Sequence, residues 1–488
     1  MENPEIKKYK EKRENLIKKD LNPLKYKNIK FSKLEDTANR LFHSKIIFNF
    51  NEDFHYDLAM KYKKEIESHK FFSLLKKMPK GCLLHHHLED SIDINWISNI
   101  VNENKDNIYL RDYSKDVITK YPYRLIYTKK PRDDDKNIKE ILNDFFKENP
   151  NKTIYDFFHE KLSMLPHELE KAKSNSEAFT IFMPKYFYCY HLYLYKNFFK
   201  QHLINNFQQC LEDKIYRLET RYLPNQVTDE NLNKISIDEE FSIMNDALDE
   251  IRKTYKDFSF GIIIGMLRNM KNERIENLMK LSFELKKKYP DIICGMDLSG
   301  DEDHFKTFYE LKNVLLKAND LRKEYSLYLP WILHCGESIR FRNQNLIDGY
   351  LLESKRFGHG INLYKYLGLI DKFKEKNICI EVNPISNQTL RNVRDLRMHP
   401  GISYLNYGIN ICISNDDPTL YNTKGVNYDF FVCAASMEFD LFDFKLIGLS
   451  SIDSAQISDD LKNIYKEKFL NEWMEFNKEI CLELVDKE

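Results

Sequence analysis

From residue 215 onward the sequence alternates short, β-branched apolar runs with longer segments of helical period, and no other feature limits its fold as tightly. The runs lie at 215–222, 258–266, 292–298, 331–334, 356–359, 378–382 and 411–414, and helical patterns such as 273–288, 305–325 and 364–375 separate most of them. An eighth run comes earlier, at 78–88, in Met-Pro-Lys-Gly-Cys-Leu-Leu-His-His-His-Leu. Strands that alternate with helices imply a parallel sheet, and eight such units close into an α/β fold of the (β/α)8 TIM barrel type. The barrel is expected over 78–488. Residues 1–77 read as a helical N-terminal extension, with apolar positions at Leu41, Ile46, Ile47, Phe48, Leu58, Phe71, Phe72 and Leu75. That extension is expected to pack on the barrel or on a second copy, and to carry a homodimer contact. The mixed stretch at about 106–135 reads as a small inserted lobe after the first strand. Helix resumes over 136–212, where Phe182, Tyr186, Tyr188, Tyr190, Tyr193 and Tyr195 form an aromatic stripe expected to be core rather than pocket wall.

Charge narrows the function. Lys plus Arg (75) and Asp plus Glu (76) nearly cancel, so no basic field invites nucleic acid or an anionic membrane, and a small neutral ligand is the better expectation. The charged opening lacks the apolar core of a signal peptide, which predicts a cytoplasmic chain, and no run of about 18 apolar residues suggests a membrane span. The nine cysteines are scattered and sit mostly in apolar runs, so they read as reduced core residues. No Cys-x-x-Cys pair occurs, which removes zinc ribbons and the His/Cys/Cys deaminases of nucleic-acid bases.

In a barrel of this kind the chemistry sits at the C-terminal strand ends. His85 and His87, two apart on an extended segment, point to one side and His86 to the other. Two imidazoles begin a zinc site without completing it. The other strand ends supply Glu219, then Asp297 to Asp301, His334-Cys335-Gly336-Glu337, Gly358-His359-Gly360 and Asn415-Asp416-Asp417-Pro418. Together these place a candidate metal ligand set beside titratable groups suited to proton transfer.

These residues carry a resemblance. Met78-Pro79-Lys80-Gly81-x-Leu83-Leu84-His85-x-His87, Asp297-Leu298-x-Gly300, His334-x-Gly336-Glu337, Arg356-x-Gly358-His359-Gly360, Pro384-Ile385-Ser386-Asn387, His399-Pro400 and Ser414-Asn415-Asp416-Asp417-Pro418 resemble, in order and spacing, the adenosine deaminase family. The long opening, the inserted lobe and Lys424-Gly425-x-x-Tyr428-Asp429-Phe430 favour its adenosine deaminase-related growth factor branch. The resemblance implies that His85, His87, His334 and Asp416 hold one zinc per chain. It implies that His359 orients and deprotonates a water and that Glu337 gives a proton to purine N1. Asp417 would hold N7, and the Gly300 N–H would meet N3. The implied reaction converts adenosine and 2′-deoxyadenosine to their inosine forms with release of ammonia, as in purine salvage. A lysine that would bridge two metals after the fourth strand is absent from Gly295-Met296-Asp297-Leu298, so a single metal is expected.

Two departures stand out. Leu88-Glu89-Asp90 replaces the family's Leu-Asp-Gly, which gives Glu89 the contact to the ribose 5′-hydroxyl and leaves two carboxylates facing the substrate's 5′ end. Asn383 stands where the family commonly has Cys. The alternatives to adenosine are a modified nucleoside such as methylthioadenosine, or a growth factor-like extracellular signalling role that the branch resemblance carries with it.

Overall fold

The computed structural model describes residues 4–21, 29–114, 121–340 and 342–485. Eight parallel strands run in sequence order: β1 (Gly81–Leu83), β2 (Ile215–Tyr222), β3 (Ser259–Leu267), β4 (Ile293–Ser299), β5 (Ile332–Cys335), β6 (Arg356–His359), β7 (Cys379–Val382) and β8 (Asn410–Ile413). They form two four-stranded halves, β1 to β4 and β5 to β8, each parallel throughout. Single parallel bridges close the ring, Met296 to Trp331 on one side and His86 to Asp416 on the other. The barrel fold and most strand limits are therefore as expected. Most of the strands read as largely apolar runs because helices cover one face and the barrel interior the other, while β2 buries Arg217, Glu219 and Arg221.

The histidine segment differs from expectation. β1 is only three residues long and ends before the histidines. The ladder stops there because the His85 N–H donates to the Ser414 hydroxyl (3.1 Å) instead of a neighbouring strand's carbonyl. The backbone stays extended enough for His86 and His87 to bridge Asp416 and Arg221, and His85 and His87 still converge. His86 turns away, as expected, and its Nδ1 meets the Thr220 hydroxyl at 2.8 Å.

The N-terminal extension is helical in pieces: Pro4–Leu21, Lys33–Lys45, Glu52–Tyr56, Lys63–Ser68 and Lys70–Leu75, with 1–3 and 22–28 outside the described residues. A Ser32–Glu35 capping box starts the second helix. Buried Glu35 then ties it to the barrel's C-terminal helices, pairing with Lys445 and accepting from the Trp473 indole at 3.1 Å. Phe42, Phe48 and Phe71 pack together, and Phe48 and Phe71 meet Phe431 at 5.6 and 5.9 Å between ring centres. Apart from the exposed Ile47, the apolar positions that suggested a partner are thus used within the chain.

The inserted stretch folds as a three-stranded antiparallel sheet, Ile108–Asp112, Tyr123–Tyr127 and Lys136–Asn137, with 115–120 outside the described residues. Among the described residues no helix is long and apolar enough to cross a membrane.

Candidate metal centre and active site

His85, His87, His334 and Asp416 meet at the C-terminal mouth of the barrel, with one ligand-type atom from each within 4.8 Å of all the others. Asp416 Oδ1 lies 3.1 Å from His85 Nε2 and 3.3 Å from His87 Nε2, and His87 Nε2 lies 3.2 Å from His334 Nε2. Burial pushes the His334 pKa down to about 4. Burial alone would raise Asp416, but the facing imidazoles, His85 first, hold its carboxyl well below the usual range. A neutral ring at His334 and an ionised carboxylate at Asp416 are the forms that bind a metal, whereas at His85 the lowering by burial is overcome by Asp416 and Glu381, which raise its pKa.

Carboxylates orient two of the rings from behind. His85 Nδ1 donates to Glu381 Oε2 at 2.7 Å, and His334 Nδ1 donates to Asp297 Oδ2. Each contact leaves Nε2 bare and aimed at the common centre, which is the carboxylate–histidine arrangement of zinc sites. Arg221 links the two carboxylates, reaching Asp297 Oδ2 at 3.0 Å and Glu381 Oε2 at 2.7 Å. Three imidazoles and one carboxylate match the ligand types zinc takes, and this set fits it.

Glu337 stands beside the quartet. Its carboxyl is buried, and burial, then Asp416 and Glu302, raise its pKa well above the ordinary value, which favours its protonated form. Glu302 also shapes the turn that presents it, accepting from Gly336 N and Ser338 N at 3.0 Å each. His359 Nε2 lies 3.8 Å from Asp416 Oδ2 and 3.9 Å from Glu337 Oε1. Both His359 (φ 67°) and Asp416 (φ 55°) hold left-handed backbones that non-glycine residues rarely adopt, and such conformations cluster at functional sites.

A cavity bordered by His87, His334, Glu337, His359, Asp416 and Asp417 continues outward past Ser299 and Gly300. Gly300 needs its positive φ of 105°, and a Cβ there would press on the Phe305 ring at 3.1 Å. Asp417 Oδ1 is buried without a hydrogen-bond partner, which leaves an unfilled polar position on this wall. The outer wall comes from the helix Asn175–Tyr188, through Phe179, Phe182, Met183, Tyr186 and Phe187. The expectation that the aromatic stripe is core rather than pocket wall therefore fails for the half-buried Tyr186, while Phe182 belongs to the core and borders the cavity as well. Barrel and lobe contacts hold that helix across the site mouth, so one face of it meets the cavity. Tyr188, Tyr190, Tyr193 and Tyr195 remain buried, as expected.

Residues 153–471 match the family model for adenosine deaminase. The chain belongs to the adenosine deaminase family. This member is a hydrolase, and its relatives agree with the growth factor branch: it is 28% identical over 463 residues to adenosine deaminase 2 of Dictyostelium discoideum, covering 92% of this chain and 83% of that protein. The barrel is similar to adenine deaminase from Arthrobacter aurescens (TM-score 0.55, 16% identity, 80% of this chain and 98% of that one). It is also similar to a zinc-bound amidohydrolase from Burkhoderia ambifaria (TM-score 0.53, 15% identity, 84% and 94%).

Within this family member, Glu89 is the candidate least well placed. It sits in the 3-10 turn Leu88–Asp90, and it is not among the residues bordering the cavity. Burial raises its pKa to about 7, and burial together with Glu89 raises Asp90 well above the ordinary value. The expected pair of carboxylate charges at the substrate's 5′ end is therefore weakened by burial. Sequence reasoning passed over Glu381, Arg221 and Glu302. A carboxylate between Ile380 and Val382 in an apolar strand was the available signal for the first of these.

Proposed function

We propose that the protein deaminates adenosine and 2′-deoxyadenosine with one zinc per chain, held by His85, His87, His334 and Asp416. The observation that carries this reading is the convergence of those four ligand atoms next to a buried Glu337 whose surroundings favour its protonated form. The metal would supply Lewis-acid chemistry, lowering the pKa of a water toward about 7. The chain's own residues do the rest. Asp417, with a free buried oxygen, and the Gly300 N–H hold the purine edge so that N1 faces Glu337. Burial keeps the Glu337 proton available, and the residue passes it to N1 as the oxygen adds to C6. His359 holds the attacking water from the opposite side. The aromatic wall of the helix Asn175–Tyr188 excludes bulk water, which strengthens each of these polar contacts. Glu89 is assigned to the ribose 5′ end.

Incubation of the purified protein with adenosine tests the reading. Inosine and ammonia should appear in equal amounts, and AMP should be a much poorer substrate. Equal turnover of AMP would remove the ribose assignment, and no turnover of any purine nucleoside would remove the reading itself.

A further inference from the structure

Two motif residues outside the metal centre, Asn387 and His399, form a hydrogen-bond chain that ends on His359. The chain starts from a donor whose polarity is fixed. The Gly401 backbone N–H donates to His399 Nδ1 at 3.0 Å, so that nitrogen is an acceptor. His399 is fully buried, and burial alone lowers its pKa to about 3, so the ring is neutral. Its single proton is therefore on Nε2. That N–H meets Asn387 Oδ1 at 3.0 Å, which settles which end of the amide is oxygen. The other end, Asn387 Nδ2, must then donate, and it lies 3.0 Å from His359 Nδ1. The Asn383 amide nitrogen comes to the same ring nitrogen at 3.3 Å. A proton on His359 Nδ1 would face the Asn387 N–H head-on, so Nδ1 is bare and the ring carries its proton on Nε2. That nitrogen is the one directed toward Asp416 Oδ2 and Glu337 Oε1.

We propose that His399 and Asn387 are positioning residues that fix the His359 proton on Nε2, so that His359 meets the attacking water oxygen as a hydrogen-bond donor. The proposal rests on the deaminase reading above and departs from it in one respect, because a ring with Nε2 already protonated cannot take the water's proton. Instead it stabilises negative charge on the oxygen. The water loses its first proton to solvent before attack. As the oxygen–C6 bond forms, the C6–N1 π electrons go to N1, which takes the proton of Glu337. The remaining hydroxyl proton then passes through the Glu337 carboxylate to the amino nitrogen, and the C6–N bond breaks to release ammonia. Glu337 regains a proton from solvent, so atoms and charge balance.

The ring nitrogens of His359 report the tautomer directly. In the zinc-loaded protein labelled with 15N-histidine, the His359 signals are those lost in His359→Gln. The wild type should show Nε2 protonated and Nδ1 bare, a result that needs no other variant to fold; a proton on Nδ1 overturns the proposal. In Asn387→Asp the carboxylate accepts from both rings and draws the His359 proton to Nδ1. The expected cost is about a hundredfold in kcat, comparable to removing one oxyanion donor, with KM and zinc content nearly unchanged. If His359 were the base, Asn387→Asp would strengthen it. A kcat equal to or above wild type would therefore also overturn the proposal. A wild-type protein that shows the Nε2 tautomer without zinc or turnover would refute the deaminase reading separately.

Discussion

Arg221 never touches the ligand cluster, yet replacing it should loosen the metal. Its guanidinium is 2% exposed and joins Asp297 (3.0 Å) to Glu381 (2.7 Å), while Nη1 donates to the Leu84 carbonyl at 2.7 Å. Arg221→Met removes that cation and leaves two carboxylates buried in the barrel. Breaking a buried ion pair by deleting one partner costs about 3–5 kcal/mol. Glu381 keeps Arg356, whose Nε lies 2.7 Å from Oε1, so the lower end, about 3 kcal/mol, is expected. Burial alone would raise both carboxyls. His334 and Arg221 hold Asp297 low, and Arg221 and Arg356 hold Glu381 low. Without Arg221, Asp297 tends to take up a proton and ceases to fix the His334 ring. Loss of such an orienting partner typically lowers metal affinity about 10- to 100-fold. Denaturant unfolding of the metal-free protein measures the first effect, and chelator competition measures the second. Arg221→Lys should recover only part of both, since a single ammonium cannot bridge two carboxylates. A loss of stability below about 1 kcal/mol with unchanged zinc affinity would refute this account of the network.

Further outcomes follow from the site. Glu337→Gln should keep zinc and fold while kcat falls by about 10²- to 10⁴-fold, because the amide can bond N1 but cannot deliver a proton; a loss below tenfold in a steady-state assay removes Glu337 as the acid. In the wild type, kcat should fall as pH rises through the raised Glu337 pKa, since only the protonated form acts, and a pH–rate profile checks that direction. Glu89→Ala should reduce kcat/KM for adenosine more than for 5′-deoxyadenosine, and equal effects would take the ribose role from Glu89. The homodimer expectation now rests on the helix Pro4–Leu21, which exposes Ile6, Tyr9 and Leu16, and light scattering at micromolar concentration should give twice the chain mass.

The barrel was legible because most of its strands are buried on both faces and read as short, largely apolar runs separated by helical patterns, several of them closed by a polar cluster at the strand end. The metal quartet was legible because two ligands sit two residues apart and the others lie in short, distinctive motifs. What surrounds it was not. Glu381 supports His85 from 296 residues away, and nothing local in Ile380-Glu381-Val382 says which ring it meets. The placement of Phe182 and Tyr186 on the cavity wall depends on where their helix docks, and periodicity alone does not separate a wall from a core. The early end of β1 follows from one side-chain contact, Ser414 to His85 N, that has no sequence signature.

Metal content and turnover, measured on the same samples, decide whether the four converging residues hold a catalytic metal. The purified chain should carry about one zinc. Asp416→Ala, which removes the carboxylate that reaches His85 and His87 at 3.1 and 3.3 Å, should lose both the zinc and the conversion of adenosine to inosine. Full adenosine deamination by a protein free of metal, or by Asp416→Ala, would contradict the assignment.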